Sequence, residues 1–185
     1  MTANRVIKLI SVGDVEKLLE EAKKELFYNE IKSTKKAGVL SRLKKLEKYI
    51  EGSTGKVHYI GNDNCQYITN GFTAIKLVEP LAVEDVNSRN IDLATRFDFG
   101  ECQKLDVTLG ELRAKHKIFK AENKKVNHYE SLGVQSYNIA FVLQCCDILG
   151  GAISFSETLI KGTKYNMLVV NSENGIAIVL PIRTK

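Results

Sequence analysis

The residues in this chain whose types and spacing suit a chemistry are cations set in rows. Arg113, Lys117, Lys120 and Lys124 recur at i, i+4, i+7 and i+11, which places them on one flank of a helix. At 1.5 Å per residue the row runs roughly 16 Å, enough to follow several phosphates of a nucleic-acid backbone, each neutralised contact adding affinity that salt removes. A second set, Lys35, Lys36, Arg42, Lys44, Lys45 and Lys48, stands around the apolar stripe of an earlier segment, opposed within it by Glu47 alone. A solvated helix flank has the same composition, so these rows are candidate duplex-DNA contacts weighed against a plain surface.

Charge distribution bears on that choice. The chain has 185 residues and a net charge of +5. From residue 126 onward four basic residues (Lys161, Lys164, Arg183, Lys185) meet four acidic ones (Glu130, Asp147, Glu157, Glu173), so the whole excess lies earlier, as a polyanion partner requires.

Other chemistries have less behind them. Cys65, Cys102, Cys145 and Cys146 lack metal-ligand spacing and read as reduced, small apolar residues. His116 reads as a partly buried packing residue, because the sequence sets no carboxylate or second ligand beside it. Asp92, Asp98 and Glu101 have no D-x-D-like spacing with which to hold a divalent ion. There is no Gly-rich phosphate loop followed by Lys and Ser/Thr, no G-x-S-x-G and no H-E-x-x-H. The expectation is a non-enzymatic protein without a metal or other cofactor.

The elements that must position the rows follow from periodicity. Arg5 to Ser11 reads as a first strand. Asp14 then caps a helix whose buried face is Val15, Leu18, Leu19, Ala22 and Leu26 and whose solvated face is Glu16, Lys17, Glu20, Glu21, Lys24 and Glu25. After a break at Ser33-Thr34 a second helix runs to Ile50 on Val39, Leu43, Leu46 and Ile50. Lys56 to Ile60, Cys65 to Asn70 and Phe72 to Val78 form a meander with a turn at Gly61-Asn62-Asp63-Asn64. Leu81 to Gly100 reads as an irregular crossover and Glu101 to Val107 as a short strand. Thr108 caps the helix of the first basic row, with Glu111 completing a capping box.

The closing stretch is the most regular. Tyr137-Asn138 opens an apolar helix that breaks at Gly150-Gly151. Strands follow at Ala152 to Ser156, Tyr165 to Asn171 and Gly175 to Arg183, the last two joined by Ser172-Glu173-Asn174-Gly175, whose Asn-Gly is a strong hairpin signal. Hydrophobic content of 44% and charged content of 26% are those of an ordinary globular protein. With no tract of about eighteen apolar residues, and Lys8 and Asp14 interrupting the early apolar run, the expectation is a soluble cytoplasmic protein that meets no membrane.

This closing order resembles the last segment of the DNA sliding clamps, the processivity rings of bacterial replicases. There a domain begins with a Phe/Tyr-Asn helix and ends in a strand closing on Met-Pro-Met-Arg; here Leu180-Pro181-Ile182-Arg183 stands at the end, followed by Thr184 and Lys185. Thr69-Asn70-Gly71-Phe72 resembles the Thr-Asp-Gly-aromatic turn of clamps and their phage relatives, with Asn70 in place of Asp. The resemblance implies an α+β, sliding-clamp-like domain of two βαβββ halves. Residues 1–185 would form that one domain, with a first half at 5–78, an inserted partly helical segment at 79–132 and a second half at 133–183.

What the resemblance implies for function is a replication accessory protein of phage or mobile-element origin, acting as a homo-oligomer joined through sheet edges. Its partners would be double-stranded DNA and a polymerase or other replication protein, the latter held in a pocket bordered by Leu180, Pro181, Ile182 and Arg183. In ring clamps the helices that line the hole are basic, whereas Asn138 to Leu149 has no Lys or Arg. Any DNA must therefore meet the helices at 34–50 and 111–125. The alternative is a protein-interaction or scaffold module that keeps the clamp fold without binding DNA.

Overall fold

A computed structural model of the chain describes residues 12–33, 37–51, 57–81, 86–87, 92–159 and 165–182. The expected first strand at Arg5 to Ser11 lies outside these residues, as do Lys35, Lys36 and Arg183. The chain divides into two compact units, residues 1–40 and 41–185.

In the first unit, α1 (Val12–Ser33) is a single long helix that begins two residues before Asp14, which stands in its first turn and not at the N-cap expected of it. Its apolar stripe differs from expectation: Val15, Leu18, Leu19 and Leu26 are exposed. Helical spacing marks which residues share a face and carries no information on what covers it.

The second unit is mixed α and β. Its sheet has eight strands in the order β4-β1-β2-β3-β10-β9-β8-β5, every pairing antiparallel. These are β1 (Val57–Ile60), β2 (Gln66–Thr69), β3 (Thr73–Leu77), β4 (Val86–Asn87), β5 (Gln103–Lys104), β8 (Ser154–Leu159), β9 (Asn166–Ser172) and β10 (Gly175–Val179). The helices are α2 (Ala37–Glu51), α3 (Leu109–Glu122) and α4 (Ile139–Leu149). Two runs of helix and three strands therefore repeat, α2-β1-β2-β3 and α4-β8-β9-β10. The third strand of each meets the other at the centre, in the register Gly175↔Leu77 to Val179↔Thr73.

Alternation along these strands sorts side chains between two layers. Ala74, Met167, Val169 and Ile178 form one cluster against Phe97 and Phe99, which the crossover through the 3₁₀ turn Ala94–Phe97 lays across that face. On the opposite face α4 packs against β3, β9 and β10, and α3 lies along α4. Ile139, Val142, Cys145, Ile148 and Leu149 of α4 are fully buried there. At about 1.5–3 kcal/mol for each large apolar side chain covered, this layer is the main stabilising term of the fold. Tyr49 of α2 reaches the sheet through its hydroxyl, 2.5 Å from Thr73 Oγ1.

Three differences from the sequence reading have physical causes. The strand expected from Gly133 is β7 (Gln135–Asn138), but it pairs only with β6 (Tyr129–Leu132) in a separate ribbon, so residue 133 lies in a hairpin turn and not at a boundary. The segment 79–132 supplies both outermost strands: β4 closes the β1 edge and β5 the β8 edge. The last hairpin turns within Ser172-Glu173-Asn174-Gly175 as expected, but Ser172 pairs with Gly175, so its two central residues are Glu173-Asn174 and not the Asn-Gly pair. Gly175 is required for another reason. Its φ is +150°, and a Cβ there would stand 2.1 Å from the Lys76 carbonyl oxygen, so only glycine lets the two central strands meet.

Candidate nucleic-acid interface and outer-face cavity

The helices bring one cation of each basic set, Lys45 and Arg113, to a single carboxylate. Asp147, on α4, is the hinge of this arrangement. Its Oδ1 accepts from Arg113 Nη2 of α3 at 2.6 Å, and its Oδ2 lies 3.2 Å from Lys45 Nζ of α2. Exposed pairs of this kind contribute little to stability. Their consequence is geometric: α3 packs along α4, and Lys45 of α2 and Arg113 of α3 meet at the one acidic side chain of α4. Lys44 and Lys48 on α2, Lys117 on α3 and Lys124 just beyond it are exposed.

Two candidates serve other purposes. Arg42 is buried at 8% exposure and is corrected from a phosphate contact to a packing residue. It shares a helical row with Leu46 and Tyr49, and its Nε donates to the Ile148 carbonyl at 2.8 Å, where the last turn of α4 lacks intrahelical partners. Burial lowers its pKa, with Glu79 and Glu173 opposing. Lys120 donates to the Val126 carbonyl at 2.6 Å and ties down the chain that leaves α3.

The expected capping box of α3 is present. Thr108 Oγ1 accepts from Glu111 N at 3.2 Å, and Glu111 Oε2 accepts from Thr108 N at 2.8 Å. These backbone and side-chain bonds from Thr108 hold the Glu111 carboxyl below its ordinary value. On its inner side α3 meets a histidine pair that periodicity alone did not disclose. His116 Nδ1 and His128 Nδ1 are 3.1 Å apart, and Phe119 stacks on the His128 ring at 4.4 Å. Burial first, then His128 and Lys120, push the His116 pKa down.

The opposite face of the sheet holds a cavity of about 560 Å³ between the crossover and the strands. Phe72, Ala74, Phe99, Met167, Ile178 and Leu180 give it an apolar lining, and Arg96 and Asp98 stand at it too. Leu180 is thus the one described residue of the Leu180-Pro181-Ile182-Arg183 set that borders this cavity. The closing segment is held by Leu180 N donating to the Phe72 carbonyl at 3.0 Å and Ile182 N donating to the Ser136 carbonyl at 2.9 Å. Thr69-Asn70-Gly71-Phe72 forms the expected turn at its rim, with Asn70 Oδ1 accepting from Phe72 N and Thr73 N, both at 2.9 Å.

The remaining reactive groups are held for structure. Burial pushes the Cys146 thiol up to about 12, and Cys145 is raised further by the same cause. Glu157 is 3% exposed, and its carboxylate accepts from Val134 N, Gln135 N, Tyr137 Oη and Asn166 Nδ2. It is the anchor of the β6–β7 ribbon on the sheet. Among the described residues no group of three or more His, Cys, Asp or Glu is placed to hold a metal ion, and no helix is long and apolar enough to cross a membrane.

Comparison of the chain with protein-family models, with curated proteins and with solved structures finds no match.

Proposed function

We propose that this is a non-enzymatic, DNA-associated protein that lays its helix layer against the backbone of duplex DNA, in the manner of a clamp-like replication accessory protein. The observation that carries the reading is the convergence of Lys45 and Arg113 on Asp147, which unites two separate basic helices in one surface. It also supplies what α4, without Lys or Arg, lacks. The repeated helix-and-three-strand plan supports the resemblance to sliding clamps, in which paired half-domains put their helices on one side of the sheet. Lysines read phosphate without sequence preference, so the binding expected is non-specific and salt-dependent.

The experiment is duplex binding as a function of salt, for the unaltered chain and for the combined variant K44E, K48E, K117E and K124E. These positions are exposed and leave the Asp147 pairs, Arg42 and Lys120 intact. For every phosphate no longer neutralised, the slope of log K against log salt falls by about 0.9. An unchanged affinity and slope would refute the reading.

A second reading, a protein-interaction or scaffold module, is favoured by the cavity on the other face. Its apolar lining and its two charged residues suit a short peptide from a polymerase or another replication protein. Leu180→Arg and Met167→Arg would then abolish peptide capture while leaving DNA binding unaltered.

A further inference from the structure

The outermost strands of the eight-stranded sheet, β4 and β5, are only two residues each, whereas α1 carries an exposed apolar stripe along its length. Val15 is 54% exposed, Leu18 and Leu19 56% each and Leu26 70%. Val15, Leu19, Ala22 and Leu26 succeed one another at intervals of four, three and four, the alternation that forms the seam of a two-helix coiled coil. The 22 residues of α1 extend about 33 Å, enough for three heptads. In proteins most of a helix's stability comes from packing its apolar face, so the stripe calls for a cover.

We propose that a second copy of this chain covers that face, the two α1 helices pairing antiparallel. The orientation follows from charge complementarity. Glu16 and Lys23 lie on one flank of the seam, Leu18 and Glu25 on the other. In an antiparallel pair with Leu19 layered on Ala22 of the other copy, each flank faces its own counterpart. Glu16 then meets Lys23 of the other copy, and the two-fold symmetry makes the contact twice. Leu18 comes beside the aliphatic stem of Glu25. In a parallel pair unlike flanks face each other, Lys23 falls beside Leu18, and Glu16 never meets Lys23. Val15 layers on Leu26 at both ends, which covers the four exposed apolar residues of α1 among those whose side chains are described. This pairing is independent of the DNA reading, since none of its residues belongs to the basic surface.

Light scattering of the full chain over a concentration series, without DNA, tests it. The unaltered chain is expected to be a dimer, and L19E with L26E a monomer whose sheet signal and denaturation midpoint are unchanged. E16K alone or K23E alone should weaken association roughly tenfold, and the two together should restore it, because the ion pair is re-formed with its signs exchanged. Three results would overturn the proposal. One is a monomer at every concentration, with α1 amides protected from exchange against its own chain. Another is a dimer unmoved by L19E and L26E. The third is a double charge exchange no better than either single change.

Discussion

Glu157 is the residue on which the second unit turns, since four donors from three elements end on one carboxylate. Glu157→Ala leaves these donors unmet in a buried place and should cost about 3 kcal/mol in urea denaturation, because an unsatisfied buried group forfeits its full desolvation free energy. Burial raises the Glu157 pKa, but the bonds from Asn166, Val134, Tyr137 and Gln135 together outweigh it and hold it below the ordinary 4.5. The folded form therefore binds the proton less readily than the unfolded chain. Its contribution is complete above about pH 4.5 and is lost as pH falls below that toward the depressed folded value. Denaturation midpoints measured across this window should fall in the unaltered protein and fall less in Glu157→Gln. His116 follows the same sign at a higher pH. Its depressed pKa means that stability present above the ordinary 6.5 declines on acidification below it, and His116→Gln should flatten that decline. The histidine partnership was not legible in sequence, because twelve residues and a change of element separate His116 from His128.

At the scale of elements, local signals were reliable where backbone groups within a few residues satisfy one another. The box at Thr108 and Glu111 stands as the spacing implied, and the structure adds a cap on α4, Asn138 Oδ1 accepting from Ala140 N at 3.0 Å. Thr108→Ala should lower stability by about 1 kcal/mol, as read from the denaturation midpoint at constant slope. The central strand pair offers a sharper case. Gly175→Ala would force a methyl onto the Lys76 carbonyl at a φ that L-residues avoid, and should cost about 3 kcal/mol or more, against a near-neutral Gly100→Ala, where the added Cβ meets nothing within 4 Å. The hairpin stands at Ser172-Glu173-Asn174-Gly175, where the sequence put it, but Gly175 pairs with Ser172 and is not a central turn residue. The glycine is required by the approach of β3, a strand far away in sequence, and not by the loop.

At the scale of the second unit, the helix layer and the cavity lie on opposite faces of one sheet, so the two proposed ligands, DNA and a peptide, do not compete for one surface. The expected outcome is additivity: the K44E, K48E, K117E and K124E variant should lose duplex affinity without loss of peptide capture, and Leu180→Arg the reverse. Calorimetry with both ligands present would read the coupling, which separate faces joined by a continuous sheet should keep below about 0.5 kcal/mol.

The sequence by itself determined the helices, the two meanders and the capping box of α3, all of which depend on residues within a few turns or strands of one another. It also marked the apolar face of α1 but not its cover, for periodicity describes a surface without naming its partner. Only the tertiary structure decided that β3 meets β10, that residues 79–132 close both sheet edges, that Arg42 turns inward to the end of α4, and that Asp147 gathers Lys45 and Arg113. Each is a meeting of segments far apart in the chain, made by whichever side chains the packed layers happen to bring within reach. A cation in a helical row has the same spacing whether it faces water, a carboxylate or a neighbouring helix end, and the fold alone separates these three.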